Sequence, residues 1–117
     1  MTELLFGDRE LDVMGVLWDM GSGTVAEVRE RLPDELAYTT VLTILRNLEA
    51  KGFVRHATEG RAHRYTPSVE RQTARRSALT RLIDTLFQGS PEQLLAHMVD
   101  EQALTDEDLR RIRRRLK

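Results

Sequence analysis

At 117 residues, with 32% charged and 40% hydrophobic side chains, the chain has the balance of one small globular domain or one domain with an extension. No apolar run approaches the ~18 residues of a membrane span, so membrane insertion is not expected. The absence of cysteine excludes disulfides and thiolate metal sites and fits a reducing compartment. A net charge of −1 lacks the basic excess that advertises nucleic-acid binding, and 5% aromatics calls for an aliphatic, helical core. The start of the chain, through Phe6 and Asp8, shows no basic region and no cleavage-like site, so a cytoplasmic location is expected.

Asp8 is the expected N-cap of a first helix over about 8–20, with Leu11, Met14, Leu17 and Trp18 as its apolar stripe. Gly21 and Gly23 stop it. Thr24 with Glu27 three residues later is a capping box, opening a short second helix that turns Val25, Val28 and Leu32 inward. Pro33 marks the following turn.

The third helix, over about 37–51, is the most informative segment. The 3.6-residue period puts Val41, Ile44, Leu45 and Leu48 on one stripe, and Thr39, Thr43 and Arg46 on the opposite one. Short hydroxyls allow close approach to a surface, and a guanidinium binds phosphate or guanine bidentately, so this face suits a DNA major groove. The competing reading is an ordinary amphipathic helix that tolerates three threonines in solvent.

Gly52 supplies the left-handed end of that helix. Residues 53–58 and 62–66 then read as two short strands around a turn containing Gly60, a β-hairpin. Three helices and a hairpin in about 60 residues are the order of a winged helix-turn-helix. The hairpin is the wing, and Gly60 and Arg61 at its tip suit a phosphate or a minor groove. Residues 46–65 hold five basic groups (Arg46, Lys51, Arg55, Arg61, Arg64) against Glu49 and Glu59. A local basic edge is therefore available, although residues 1–67 carry eight basic against eleven acidic side chains, a net of −3.

Beyond Ser68 no strand signal remains. A helix over about 69–87 carries Ala78, Leu79, Leu82, Ile83, Leu86 and Phe87 as a wide apolar stripe and ends at Gly89. Ser90, Pro91 and Gln93 open a second helix, which groups Leu94, Leu95, Met98 and Val99. Thr105 to Asp108 open a third, with acids at its start, five arginines between Arg110 and Arg115, and Leu109, Ile112 and Leu116 as its apolar face. Three helices of this size cannot bury their stripes on one another alone, so self-association is expected. The chain is divided accordingly into a winged-helix DNA-binding domain, 1–67, and a helical dimerisation domain, 68–117. Leu79, Leu82, Ile83, Leu86, Leu94, Leu95, Met98, Leu109 and Ile112 are assigned to the dimer contact.

Two stretches resemble one family. Tyr38, Thr39, Thr40 and Val41 leading to Leu48 and Gly52, then Gly60-Arg61-Ala62-His63-Arg64-Tyr65-Thr66-Pro67, are similar to the penicillinase and methicillin-resistance repressors (the BlaI/MecI/CopY type). The likeness extends from Leu11, Met14, Leu17 and Trp18 to the Leu104–Leu109 ending. It implies a dimeric winged-helix repressor of β-lactam-resistance or cell-wall-stress genes, bound to a double-stranded DNA operator with dyad symmetry. Tyr38, Thr39, Thr40, Thr43 and Arg46 would face DNA from the helix, and Arg61 and Arg64 from the wing. For Arg64 a solvated strand face competes, and Tyr65 is expected to pack inward. In the family's best-known members a membrane sensor-protease triggers cleavage of an Asn-Phe bond in the dimerisation domain. The corresponding place here is His97-Met98, a departure from that pair. The copper-responsive branch uses a cysteine-rich tail, and this chain has no cysteine.

No nucleophile elbow, P-loop or paired-carboxylate pattern is present, so neither catalysis nor a cofactor is expected. His56 and His63 can lie across the hairpin from one another, but without a third ligand they do not make a metal site. Two other functions fit the same architecture: a winged-helix protein-interaction module without specific DNA binding, and a regulator that responds to a small ligand.

Overall fold

The computed structural model describes residues 6–116. In chain order the elements are α1 (Asp8–Met20), β1 (Gly23–Thr24), α2 (Val25–Arg31), α3 (Tyr38–Ala50), β2 (Val54–Glu59), β3 (Ala62–Pro67), α4 (Arg71–Leu86), α5 (Pro91–Asp100) and α6 (Asp106–Arg114). The chain forms two compact units, Met1–Ser77 and Ala78–Lys117.

In the first unit, α1, α2 and α3 converge on a core of Val13, Met14, Leu17, Val25, Val28, Val41, Leu45 and Leu48, closed from the sheet side by Phe53, Val54 and Tyr65. The start of α1 differs from expectation. Gly7, not Asp8, is the N-cap, and its N–H donates to Glu10 Oε1 at 2.8 Å. Asp8 becomes the first helical residue, an acid at the positive end of the helix dipole. Leu11, expected inward, is 45% exposed. The core face of α1 runs through Val13, Met14 and Leu17, and Leu11 lies about 110° from its centre at 100° per residue. Trp18 is only partly buried, and its indole N–H donates to the Val69 carbonyl at 2.8 Å.

The capping box of α2 is formed as the sequence requires: Thr24 N–H donates to Glu27 Oε1 at 2.9 Å, and Glu27 N–H to Thr24 Oγ1 at 3.3 Å. A Thr24→Ala chain should lose about 1 kcal/mol of stability, read as a lower urea midpoint at unchanged slope. Thr24 also belongs to an unexpected strand. Gly23 and Thr24 pair antiparallel with Tyr65 and Arg64, so the wing is the larger part of a three-stranded sheet of order β1-β3-β2.

The end of α3 governs where that wing starts. Gly52, at φ 83°, donates its N–H to the Glu49 carbonyl, and Phe53 donates to the Leu48 carbonyl at 3.0 Å. These two bonds are a Schellman motif, which satisfies the last carbonyls and reverses the chain within three residues. In the hairpin, Val54 pairs with Pro67 and Glu59 with Ala62, leaving the two-residue loop Gly60-Arg61. Gly60 takes φ 60° while Arg61 stays on the ordinary side, the pattern of a type II′ turn.

The first compact unit continues past the sequence division at 67/68. Arg71 lies over the Trp18 ring at 5.5 Å, bonds Asp19 Oδ1 at 2.6 Å, and the Ala74 side chain is buried.

In the second unit the caps agree with the sequence. Gln93 N–H donates to Ser90 Oγ at 3.2 Å, and Thr105 exchanges hydrogen bonds with Asp108 at 3.0 and 3.1 Å. Among its described residues none is buried. Leu79, Leu82, Leu86, Leu95, Val99, Ile112 and Leu116 are exposed, while Ile83, Leu94, Met98 and Leu109 are half-buried.

Candidate nucleic-acid interface

The burial of α3 separates its two faces cleanly. Val41, Leu45 and Leu48 are fully buried and Ile44 is half-buried, whereas Tyr38, Thr39, Thr40, Thr43 and Arg46 are all exposed. The five residues therefore share the outward surface of one helix, and the hydroxyl side is not tucked against neighbouring protein. The Thr43 hydroxyl donates back to the Thr39 carbonyl at 2.9 Å. That bond uses the hydroxyl proton within the helix and leaves the oxygen free to accept a hydrogen bond. The N-cap of α3 is Ala37, which offers no side-chain cap. Thr40 N–H donates to the Ala37 carbonyl at 3.1 Å, and the N–H groups of Tyr38 and Thr39 at the positive dipole end are left for water or an external anion. Among the described residues Arg46 has no hydrogen bond or ion pair, so its guanidinium is available.

The two arginines named on the wing have different environments. Arg61 is exposed at the tip, with no hydrogen-bond partner among the described residues. Arg64 is half-buried and held: Nε bonds Glu59, Nη1 lies 3.0 Å from Glu27 Oε1, and Nη1 also reaches Ser22 Oγ at 3.3 Å. The carboxylates keep this guanidinium charged above its ordinary range, through Glu59 first and then Glu27. Glu27 is held below the usual carboxylate range, by the Thr24 N–H first and then by Arg64. Arg64 thus joins the wing to the cap of α2, a role that neither sequence reading of it foresaw.

Tyr65 is buried, as expected, and burial pushes its phenol up. A further cluster was not foreseen in its geometry. His56 and His63 stack with ring centroids 4.3 Å apart and planes 13° from parallel, and His56 Nδ1 lies 2.6 Å from the Glu49 carboxylate on α3. Glu49 belongs to a different element from the histidines, and no local sequence pattern joins it to them. Among the described residues no group of three side chains suited to a metal ion is present. His97 and Met98 lie within α5, His97 exposed and Met98 half-buried.

The arrangement is a helix with an exposed hydroxyl and guanidinium face, an amino-terminal end without a side-chain cap, and a hairpin whose tip carries an arginine with no partner among the described residues. In sequence and fold the chain is similar to known proteins. The family model described as penicillinase repressor matches residues 6–117. A transcriptional regulator BlaI of Mycobacterium tuberculosis is 36% identical over 109 residues, covering 87% of this chain and 77% of that protein. The solution structure of the DNA-binding domain of the repressor BlaI superposes with a TM-score of 0.55 at 32% identity, over 62% of this chain and 90% of that one. The monomeric Bacillus licheniformis BlaI in complex with the blaP half-operator gives a TM-score of 0.53 at 32% identity, over 62% and 90%. No helix among the described residues is long and apolar enough to cross a membrane.

Proposed function

The chain belongs to the penicillinase repressor family of DNA-binding transcriptional repressors, not enzymes, and from that premise we propose that it works as a homodimer on an operator with dyad symmetry. In this reading α3 enters the major groove and Tyr38, Thr39, Thr40, Thr43 and Arg46 meet the duplex. The uncapped first turn of α3 faces phosphate, and Arg46 reads a base edge or phosphate bidentately. Arg61 reaches the backbone or minor groove from the wing tip. Arg64 holds the wing against α2 and acts on DNA through that positioning. The observation that carries the reading is the exposure of the hydroxyl and guanidinium side of α3 with its aliphatic side buried.

Dimerisation through the second unit is supported by its exposed leucines. Of the residues assigned to it, Leu79, Leu82, Leu86, Leu95 and Ile112 are exposed and Ile83, Leu94, Met98 and Leu109 half-buried, an apolar surface that α4 to α6 cover only in part. Family membership supports, as part of this proposal, targets of the β-lactam-resistance or cell-wall-stress kind and release by a membrane sensor-protease. Because His97 and Met98 lie inside a regular helix, cleavage there requires α5 to unwind so that the chain can enter a protease as a strand.

The test is a fluorescence-anisotropy titration against a duplex taken from the region upstream of the chain's own gene. Specific binding should weaken linearly in log–log form as salt rises, with a slope of about −0.9 per phosphate neutralised. Equal, weak binding to that duplex and to a scrambled one would replace the repressor reading with that of a protein-interaction module.

A further inference from the structure

The segment that joins the wing to α4 is short and bonded along its length. Only residues 68–70 separate the end of β3 from the start of α4. Arg55 Nη1 donates to the Pro67 carbonyl at 3.2 Å, and Ser68 N–H donates to the Phe53 carbonyl at 2.8 Å. Val69 packs against the core of the first unit, and its carbonyl accepts the Trp18 indole N–H at 2.8 Å. The Glu70 carbonyl accepts the Ala74 N–H at 3.1 Å, so the helix begins at once. Connectors next to a compact unit are commonly flexible and make few contacts. This one has no slack.

The first turns of α4 are held to α1 as well. The helix runs unbroken over Arg71–Leu86, and its residues up to Ser77 belong to the first unit. Arg71 Nη2 donates to the Gly15 carbonyl at 3.2 Å and to Asp19 Oδ1 at 2.6 Å, while the guanidinium lies over the Trp18 ring at 5.5 Å. Ala74, three residues on, is buried. The donors of a guanidinium lie in one rigid plane, so these partners together define one placement of Arg71. Trp18 is therefore engaged by Val69 through its N–H and by Arg71 over its ring. These contacts fix the heading with which α4 leaves the first unit. None of them uses α3 or the Gly60-Arg61 loop. The Arg71 and Asp19 side chains are 39% and 69% exposed, so their ion pair adds little to the stability of the fold.

Heading matters to a dimer on DNA because the duplex has its own period. One turn takes about 10–10.5 base pairs and about 34–36 Å, so each base pair added between half-sites shifts one of them by about 3.4 Å and turns it by about 35°. Recognition helices presented at a fixed heading match one spacing. Recognition helices on slack joints match several, and gain less from linkage at each. We propose that Trp18, Asp19 and Arg71 are positioning residues that set the operator spacing the protein accepts, by fixing the departure of α4. The assignment rests on the homodimer reading above and adds to it which residues select among dyads built from the same half-site.

The experiment measures affinity of the full chain for three labelled duplexes: the dyad footprinted in its own upstream region, the same dyad lengthened by two central base pairs (a turn of about 70°), and one isolated half-site. The parent should bind the lengthened dyad roughly 100-fold more weakly than the native one. Arg71→Ala and Trp18→Phe, which lacks the indole donor, should each reduce that ratio to roughly tenfold, with parent-like half-site affinity and dimeric sedimentation. Arg76→Ala, exposed on the same helix and without a partner among the described residues, should keep the parent's ratio. Variants that keep the parent's ratio, or that weaken equally on all three duplexes as a folding defect would, overturn the spacing assignment alone. So does a parent that binds both dyads equally well and more tightly than the half-site. A parent that binds the native dyad no more tightly than the half-site overturns the homodimer reading and the assignment together.

Discussion

Arg46→Ala is expected to weaken operator binding by about 1–3 kcal/mol, roughly 5- to 150-fold, if its guanidinium reads a base edge. Arg46 is exposed and makes no hydrogen bond among the described residues, so its removal leaves the fold of the first unit unchanged. Thermal melting of the variant should therefore overlay that of the parent. Thr43→Ala should lose affinity in the same direction, because Thr43 is exposed on that face one turn earlier. A base contact and a phosphate contact are separable: loss at a base edge relaxes preference at one operator position, whereas loss at a phosphate weakens all sequences and lowers the salt slope. Arg64→Ala supplies the contrast. It releases Glu27 and Glu59 and so lowers stability first, with any loss of DNA affinity following from a misplaced wing. Parent-like operator binding in both Arg46→Ala and Thr43→Ala would refute the groove placement of α3.

The second large effect is expected at the apolar surface of the second unit. Leu82→Glu combined with Leu86→Glu puts two carboxylates into a surface that the dimer reading buries between chains. Burying an unpaired charge costs several kcal/mol, so the doubly substituted chain should sediment as a monomer at micromolar concentration. Both leucines are exposed in the single chain, at 39% and 62%, so the substitutions cost the isolated unit little. Operator affinity should fall by about 10²–10⁴, the advantage lost when two linked half-site contacts become independent. Binding to an isolated half-site should persist, because α3 and the wing are untouched. A variant that remains dimeric would move the interface away from α4.

Much of the fold was legible because it is written in local periodicity and capping. The Thr24–Glu27 box, the Ser90 and Thr105 caps, the glycine after α3 and the hairpin turn at Gly60 each involve residues within a few positions of one another. The two faces of α3 follow from the helical period alone. Strand β1 was not legible, since two residues carry no pattern and its partners Tyr65 and Arg64 lie forty or more residues away in sequence. On α1, Leu11 satisfies an i, i+3 pattern with Met14 as well as Val13 and Leu17 satisfy theirs. Only the position of α3 and the sheet decides which stripe turns inward. The candidate interface divides in the same manner. The exposed residues of α3 and Arg61 could be named from the chain, whereas the engagement of Arg64 by Glu27 and Glu59 and the clamp of His56 by Glu49 are contacts between distant segments.

The reversal at Lys51–Phe53 has a kinetic consequence. With the helix end locked by the Gly52 and Phe53 hydrogen bonds, no slack separates the α3 rod from the β-ribbon beside it. Their mutual angle is settled when the polypeptide folds, so little disorder remains to be frozen out on encountering a duplex. Capture of DNA should then proceed at a rate governed by diffusion and charge, without a slow rearrangement step.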